Sequence, residues 1–166
     1  YLSRDAFLPP VLLWSIGESA FKQFGGIHFS FVPKMGPSLG DVLDTESQDD
    51  FPFTSELAWL CTFDLLAAIT HLERICIIHS DIKPANLLFS SANIGAPDTT
   101  LVLADFGVST RLLDKPGHKV HLDGFTPDYA PPEVDLARKV DTRADVWMAA
   151  ATLHHVWFGR PPDEAD

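Results

Sequence analysis

The chain has 166 residues, with 12 basic and 23 acidic side chains, and therefore a formal net charge of −11 at pH 7. Counterion release, which drives nucleic-acid binding, needs clustered Lys and Arg. Because the basic residues are scattered singly apart from Arg138 and Lys139, we exclude nucleic-acid binding. The longest apolar runs fall far short of the ~18 residues that a membrane span needs, so we expect no membrane partner.

Two cysteines, Cys61 and Cys76, lie in apolar runs and are too few for a disulfide framework. This cysteine usage predicts an intracellular protein, cytoplasmic or nuclear. The first residue is Tyr1, and no basic and then apolar leader follows it, so we expect a piece of a longer protein. With 46% hydrophobic and 21% charged residues, the piece has the composition of one globular domain.

The first predicted elements are two extended segments, at residues 11–14 and 27–32, where β-branched and aromatic side chains cluster. These segments could pair as neighbouring strands. The stretch 41–50 then holds five acids and no base, a composition that predicts a solvated loop beside a short helix.

The clearest predicted helix begins at Glu56, with Thr54 or Ser55 as its cap. Its apolar positions follow the helical period: Leu57, Leu60, Cys61, Leu65, Ala68, Ile69 and Leu72. Beyond it, three apolar runs are too short for helices and predict strands: residues 75–78, 87–89 and 101–103. The segments between and after them, at 90–100 and 114–132, predict no regular structure.

A second long helix is predicted from about Thr142 to a stop at Gly159 and Pro161. We predict that this helix is buried, because apolar residues recur along it: Val146, Trp147, Ala150, Leu153, Val156 and Trp157.

Two motifs carry the chemistry. Residues 79–86 read His-Ser-Asp-Ile-Lys-Pro-Ala-Asn and place an acid, a base and an amide in one short loop between apolar runs. Asp105, Phe106 and Gly107 follow the third run, and the glycine permits a sharp turn. Carboxylate and amide oxygens are ligands that Mg²⁺ prefers. Together the motifs predict a metal site and a base in one cleft.

These motifs resemble those of the protein kinase family, in the order in which that family has them. Downstream, residues 126–133 (Thr-Pro-Asp-Tyr-Ala-Pro-Pro-Glu) resemble the end of the kinase activation loop. Residues 145–147 (Asp-Val-Trp) resemble the start of the helix that anchors the large lobe. Upstream, residues 31–39 are similar to the hinge of casein-kinase-like kinases.

The resemblance implies an α+β, mainly α, protein kinase-like fold that is incomplete. Residues 1–36 would be a remnant of the small lobe, with two strands and the hinge. Residues 37–166 would be the large lobe, truncated after its anchoring helix. The Gly-rich loop, the strand lysine and its glutamate partner, which the family uses to position phosphates, are missing from this sequence.

The resemblance also implies roles for individual residues. Asp81 would accept or orient the proton of the substrate hydroxyl, and Lys83 would neutralise charge on the transferring phosphoryl group. Asn86 and Asp105 would hold Mg²⁺ on the phosphates of ATP. Lys83 would therefore serve both catalysis and ATP binding.

Further positions follow from the same resemblance. The adenine ring of ATP would be bound by the backbone of Pro33 and Met35, and Leu88 would line the nucleotide site. Thr126, together with Lys83, is typical of serine/threonine kinases and would contact the substrate. Five residues are expected to be structural: His79, packed beneath Phe106, and also Phe106 itself, Gly107, Glu133 and Asp145.

Ser80 stands where most kinases have the arginine that binds a phosphate on the activation loop. We therefore expect activity that does not depend on activation-loop phosphorylation. The acidic stretch 41–50, if it serves recognition, would favour basic substrates.

Three functions remain open at this point. The leading interpretation is a serine/threonine kinase that uses ATP and Mg²⁺ on protein substrates, with the activity expected of the parent protein rather than of this piece alone. The first alternative is a catalytically inactive kinase-like scaffold or regulatory module. The second is a small-molecule phosphotransferase, whose catalytic loop lacks the arginine, as Ser80 allows. The sequence predicts no particular oligomeric state.

Overall fold

The computed structural model describes residues 34–45, 54–112, 119–121, 124–134 and 139–162. From Met35 onwards these residues belong to one compact unit. The predicted strands at 11–14 and 27–32 and the predicted adenine contact of Pro33 lie outside the described residues. Within the described ranges, no helix has both the length and the apolar character that crossing a membrane requires.

Helix α1 (Leu39–Asp44) opens the described part of the chain and is fixed by a capping box. The backbone N–H of Asp41 donates to Oγ of Ser38 at 3.0 Å, and the Ser38 N–H donates back to the Asp41 carboxylate at 2.9 Å. The Ser38 hydroxyl also donates to the Asp41 carboxylate at 2.7 Å, and this bond, followed by the one from the Ser38 N–H, holds the pKa of Asp41 below its usual value. The short helix predicted beside the acidic stretch is therefore confirmed at the start of that stretch.

Helix α2 (Ser55–Arg74) confirms the clearest prediction from the sequence. Oγ1 of Thr54 accepts the N–H of Leu57 at 3.3 Å, which satisfies one of the unpaired donors at the helix start. One stripe of the helix is buried: Leu57, Ala58, Cys61, Leu65, Ile69 and Leu72. The helix ends at Ile75, and Cys76 then takes a left-handed conformation (φ 56°), which turns the chain into the first strand.

In the described ranges, six short strands form three antiparallel pairs. Strand β1 (Ile77–Ile78) pairs with β4 (Thr110–Arg111), β2 (Leu87–Phe89) with β3 (Leu101–Leu103), and β5 (Val120–His121) with β6 (Lys139–Val140). The second and third predicted apolar runs match β2 and β3 residue for residue. The prediction that residues 114–132 lack regular structure was wrong at β5, which forms because it pairs with a segment about twenty residues away.

The loop between β2 and β3 is closed at its base. The N–H of Ser90 donates to the Thr100 carbonyl at 2.9 Å, and the N–H of Thr100 donates to Oγ of Ser90 at 2.9 Å. One residue further on, the N–H of Leu101 donates to the carboxylate of Asp64 on α2 at 2.7 Å. These bonds fix the register in which β3 returns beside β2.

Helix α3 (Arg143–Phe158) is the second long helix, and it ends at Gly159 in the left-handed conformation (φ 72°). Its buried face packs against α2 and consists of Ala144, Asp145, Met148, Ala149, Ala151, Thr152 and Val156. The prediction of a buried helix was wrong for the opposite face, where Val146 and Trp147 are 54% and 47% exposed. Because apolar residues lie on nearly all sides of α3, the sequence pattern does not show which side faces the core.

Candidate active site

The pairing of β2 with β3 brings the two predicted motifs to the same end of a strand pair. Leu87 lies opposite Leu103, and just beyond them the N–H of Ala104 donates to the Asn86 carbonyl at 2.8 Å. Asn86 therefore lies at the start of one strand, beside the turn that carries Asp105 after the other. Two motifs that are 19 positions apart in sequence meet because of this register.

The carboxylate of Asp81 is the centre of the site. Its Oδ1 accepts a hydrogen bond from the Thr126 hydroxyl at 2.7 Å, and its Oδ2 accepts one from the side-chain amide of Asn86 at 3.0 Å. The ammonium group of Lys83 lies 2.8 Å from the same Oδ2. Four of the predicted site residues are thus joined directly, and the side chain of Asp81 stays 16% exposed, open to an incoming group.

These contacts determine the charge state of Asp81. Burial acts to raise its pKa, but the hydrogen bonds from Lys83 and Thr126, the charge of Lys83 and the bond from Asn86 together outweigh it. The pKa of Asp81 therefore lies below its usual value, and the carboxylate is charged at neutral pH. A charged carboxylate accepts hydrogen bonds and does not donate them.

Lys83 joins the loop to a distant segment. Its Nζ donates to Oγ1 of Thr126 at 2.8 Å while it pairs with Asp81. Thr126 directly precedes a 3₁₀ turn, Pro127–Tyr129. The segment that contains Thr126 is thereby placed beside Asp81, although 45 residues separate the two in sequence.

Beneath this surface, the loop is held by a buried carboxylate. Oδ2 and Oδ1 of Asp145 accept the backbone N–H groups of His79 and Ser80 at 2.7 and 3.0 Å. Asp145 lies in the first turn of α3 and is 3% exposed. Burial raises its pKa, while the two N–H groups act in the opposite direction. Two buried donors thus depend on one side chain.

Ser80 adopts a left-handed conformation (φ 74°), which is uncommon outside glycine and clusters at functional sites. The conformation lets consecutive N–H groups of the loop converge on Asp145. The side chain of Ser80 is fully buried, and its Oγ has no hydrogen-bond partner among the residues that the structure describes. A buried hydroxyl presents no positive charge to a phosphate on the activation loop. The expectation that activity does not depend on activation-loop phosphorylation stays a prediction.

The ring of His79 is fully buried. Its Nε2 lies 3.0 Å from the Ala104 carbonyl, and its Nδ1 accepts the N–H of Asp81 at 3.4 Å. Burial lowers the pKa of His79 against the opposing effects of that carbonyl and of nearby carboxylates. The ring is therefore neutral, with its proton on Nε2. It packs edge-on to Phe106, with centroids 4.8 Å apart.

Asp105 is held differently. It is exposed, has a left-handed backbone (φ 62°), and accepts the N–H of Gly107 on Oδ1 at 3.2 Å. Its other carboxylate oxygen and the side-chain oxygen of Asn86, whose Nδ2 is engaged by Asp81, are oxygen donors of the kind that hard Mg²⁺ prefers. Within the described ranges, no three His, Cys, Asp or Glu side chains cluster in a way that could hold a metal. This pair fits Mg²⁺ that keeps phosphate and water ligands.

The remaining predicted positions lie in the hinge-like segment, on β2 and near the end of the motif 126–133. The N–H of Gly36, next to Met35, donates to the Phe89 carbonyl at 2.7 Å, so the hinge-like segment runs along β2. A Cβ at Gly36 would collide with the backbone carbonyl of Ser91, which explains the glycine. Leu88 is only partly buried and alternates with the buried Leu87 and Phe89, so it faces away from the core. Glu133 is exposed.

Sequence reasoning missed one contact close to the site. The hydroxyl of Tyr129 lies 2.8 Å from Nδ1 of His155 on α3. From the sequence, Tyr129 is noted only within the motif 126–133, and no role is predicted for His155. No local pattern indicates the pairing, because 26 residues separate the two positions.

Comparison with known proteins agrees with this geometry. A family model described as "Protein kinase domain" matches residues 27–166. The serine/threonine-protein kinase PknF of Mycobacterium tuberculosis is 39% identical over 96 residues, which cover 57% of this chain and 20% of the relative. Mitogen-activated protein kinase kinase kinase 8 of Rattus norvegicus is 37% identical over 107 residues, which cover 64% and 21%. MAP kinase-activated protein kinase 2 of Drosophila melanogaster is 30% identical over 117 residues, which cover 70% and 31%. The chain thus spans about a fifth to a third of the length of these relatives.

Proposed function

Because the chain belongs to the protein kinase domain family, we propose that it transfers the γ-phosphoryl group of ATP to serine and threonine hydroxyls of protein substrates. The observation that carries the proposal is the network in which the Asp81 carboxylate meets Lys83, Asn86 and Thr126. It combines a charged acceptor, a cation and an amide on one loop, beside the exposed carboxylate of Asp105.

Asp81 receives the substrate hydroxyl. A carboxylate has about four lone-pair sites, and Thr126, Asn86 and Lys83 occupy three of them. The fourth site accepts the hydroxyl, orients its oxygen towards the γ-phosphorus and takes its proton as the new P–O bond forms and the bond from the γ-phosphorus to the leaving ADP oxygen breaks. Its lowered pKa keeps Asp81 charged and available for this step.

Lys83 and the two metal-binding candidates act on the phosphate side. An ammonium group has three donors, and Lys83 directs two of them to Asp81 and Thr126. The third is available to an oxygen of the transferring group and neutralises part of its charge. Asn86 and Asp105 would hold Mg²⁺, which when bound lowers the negative charge that an approaching oxygen meets.

Two observations support serine and threonine of proteins as acceptors. The Lys83 ammonium contacts the Thr126 hydroxyl. This pair of residues is typical of serine/threonine kinases. The turn that follows Thr126 exposes Pro127 and Asp128 beside the Asp81 carboxylate, where a polypeptide substrate could lie. One relative, PknF, is named as a serine/threonine-protein kinase. These observations favour a protein kinase over a small-molecule phosphotransferase.

The test is phosphoryl transfer from radiolabelled ATP by the full-length protein to a peptide library, followed by phospho-amino-acid analysis. We expect Mg²⁺-dependent phosphoserine and phosphothreonine, and strongly reduced transfer by the matched Asp81→Asn protein. Label on tyrosine alone would contradict the acceptor class, and label on small alcohols alone would favour the phosphotransferase alternative. ATP binding without transfer to any acceptor would favour the inactive scaffold.

A further inference from the structure

Tyr129 and His155 form a contact that the transfer chemistry does not use. The Tyr129 hydroxyl lies 2.8 Å from Nδ1 of His155, and the two rings stack with an interplanar angle of 20° at a centroid distance of 6.3 Å. Tyr129 ends the turn that begins after Thr126, and His155 lies in the last turn of α3. The contact therefore ties the Thr126 segment to a helix of the core.

The Tyr129 hydroxyl keeps its proton in this position. Burial, together with the charges of Asp128 and Asp44, raises the pKa of Tyr129 to about 12. In the tautomer that leaves Nδ1 of His155 without a proton, this hydroxyl donates to it. Ring stacking adds a second, non-polar attachment between the same two residues.

The same face of α3 also holds the loop of Asp81. Asp145, Thr152 and His155 follow one another at spacings of seven and three, which places them on one side of a helix. Asp145 binds the loop before Asp81, and the Thr152 hydroxyl donates to the Ile82 carbonyl after it, at 3.5 Å. His155 contributes the third attachment, to the segment that supplies Thr126.

We propose that His155 is a positioning residue for phosphoryl transfer, which acts through Tyr129 to hold the Thr126 hydroxyl against Asp81 and Lys83. The proposal rests on the proposed function, because its kinetic measure presupposes transfer. Helix α3 then positions both partners of the hydrogen bond between Thr126 and Asp81. It holds Asp81 through one of its turns and Thr126 through another. Without His155 the turn can shift while α3 and the core stay intact, because His155 is only partly buried and is not one of the buried residues of the helix.

Three variants of the full-length protein separate the hydrogen bond from the ring packing. His155→Phe keeps a ring that can stack on Tyr129 but removes the acceptor. His155→Asn places an amide oxygen near the position of Nδ1 and keeps the acceptor. Tyr129→Phe removes the donor. The matched control is His154→Asn, at the neighbouring histidine, whose Nδ1 contacts the Arg160 carbonyl instead.

We expect kcat/KM for a peptide substrate to fall about threefold to tenfold in His155→Phe and in Tyr129→Phe, the size of effect that one lost hydrogen bond gives. The double variant should lose no more than either single variant, and KM for ATP should not change. His155→Asn should restore most of the loss. A merely structural role would lower the melting temperature and affect ATP and peptide alike, and would not be rescued by asparagine.

An active enzyme whose kcat/KM for peptide is unchanged by both phenylalanine variants overturns the proposal. If the unmodified protein transfers no phosphate, the proposed function fails, and hydrogen exchange decides the positioning contact separately. The amides of Tyr129 and Ala130 donate to the carbonyls of Thr126 and Pro127 at 3.1 and 3.0 Å. Faster exchange of these amides in Tyr129→Phe and His155→Phe supports the contact, and unchanged exchange in both overturns it.

Discussion

The loop around Asp81 and the turn at Asp105 supply neighbouring parts of one site, but the fold holds them in opposite ways. The loop is fixed from beneath by Asp145 and from the side by Thr126. In the described part of the chain, the exposed carboxylate of Asp105 accepts one hydrogen bond, from the N–H of Gly107. The difference teaches that the proposed proton acceptor is positioned before substrate arrives, whereas the carboxylate proposed to bind metal keeps an oxygen and some freedom for its ligand.

The largest expected effect is a loss of activity on changing Asp81, in the loop that the fold holds fixed. Asp81→Asn keeps the size of the side chain but removes the charge that accepts the hydroxyl proton, so kcat should fall about 10²-fold to 10⁴-fold. Binding of ATP should remain within about twofold, because Asp81 lies on the acceptor side. Steady-state kinetics and calorimetric titration measure the two effects. Asp98→Asn, at an exposed carboxylate of the β2–β3 loop, is the control and should behave as the unmodified protein.

Asp145→Ala removes the carboxylate that holds the Asp81 loop from beneath. It leaves the buried N–H groups of His79 and Ser80 without an acceptor, at about 1–3 kcal/mol for each lost partner. We expect the free energy of unfolding to fall by about 2–4 kcal/mol in denaturant titrations, with Asp145→Asn less affected because one acceptor oxygen remains. Asp98→Ala is the matched control. Loss of less than about 0.5 kcal/mol in Asp145→Ala would show that water replaces the carboxylate.

Asp105→Asn tests the turn at Asp105, the part of the site that keeps some freedom. Since the side chain is exposed and asparagine tolerates the left-handed backbone, the free energy of unfolding should change by less than about 0.5 kcal/mol. The Mg²⁺ concentration for half-maximal transfer should rise at least about tenfold, because a charged ligand is replaced by a neutral one. A large loss of stability with an unchanged Mg²⁺ requirement would reverse the comparison between the two parts of the site.

His79→Gln gives the smallest effect, and it appears as a pH dependence. The folded pKa of His79 is lowered by burial, so the unfolded chain, with a pKa of about 6.5, takes up a proton first as the pH falls. The stability from the neutral, buried ring is therefore present above about pH 6.5 and is lost progressively below it. Glutamine can keep a donor towards Ala104 but does not titrate. Stability measured from pH 7.5 to 5.5 should fall less steeply in the variant, by up to about 1 kcal/mol per pH unit.

Much of the fold was predictable where the signal is local. Helix α2 followed from an N-cap at Thr54 and a regular apolar stripe, and β2 and β3 followed from short apolar runs. The order of the motifs around Asp81 and Asp105 indicated the family before any geometry. These signals lie within a few residues of one another, so the sequence pattern is sufficient to read them.

What the sequence did not predict depends on distant partners. The strands β5 and β6 have two residues each, and they exist because they pair with each other. The buried face of α3 is set by packing on α2, since its sequence is apolar on nearly all sides. The contacts of Thr126 with Lys83 and of Tyr129 with His155 join residues 43 and 26 positions apart. No local propensity specifies such pairs.

The closed base of the β2–β3 loop makes the strand pair tolerant of a longer connection. Because Ser90 and Thr100 bond to each other and Leu101 is held by Asp64, the register of β3 does not depend on how long the chain is between them. The cost of lengthening a closed loop grows only with the logarithm of its length. A reporter peptide inserted between the exposed Pro97 and Asp98 would thus leave Asn86 and Asp105 in place, and the loop offers a point at which this domain can be labelled without disturbing its chemistry.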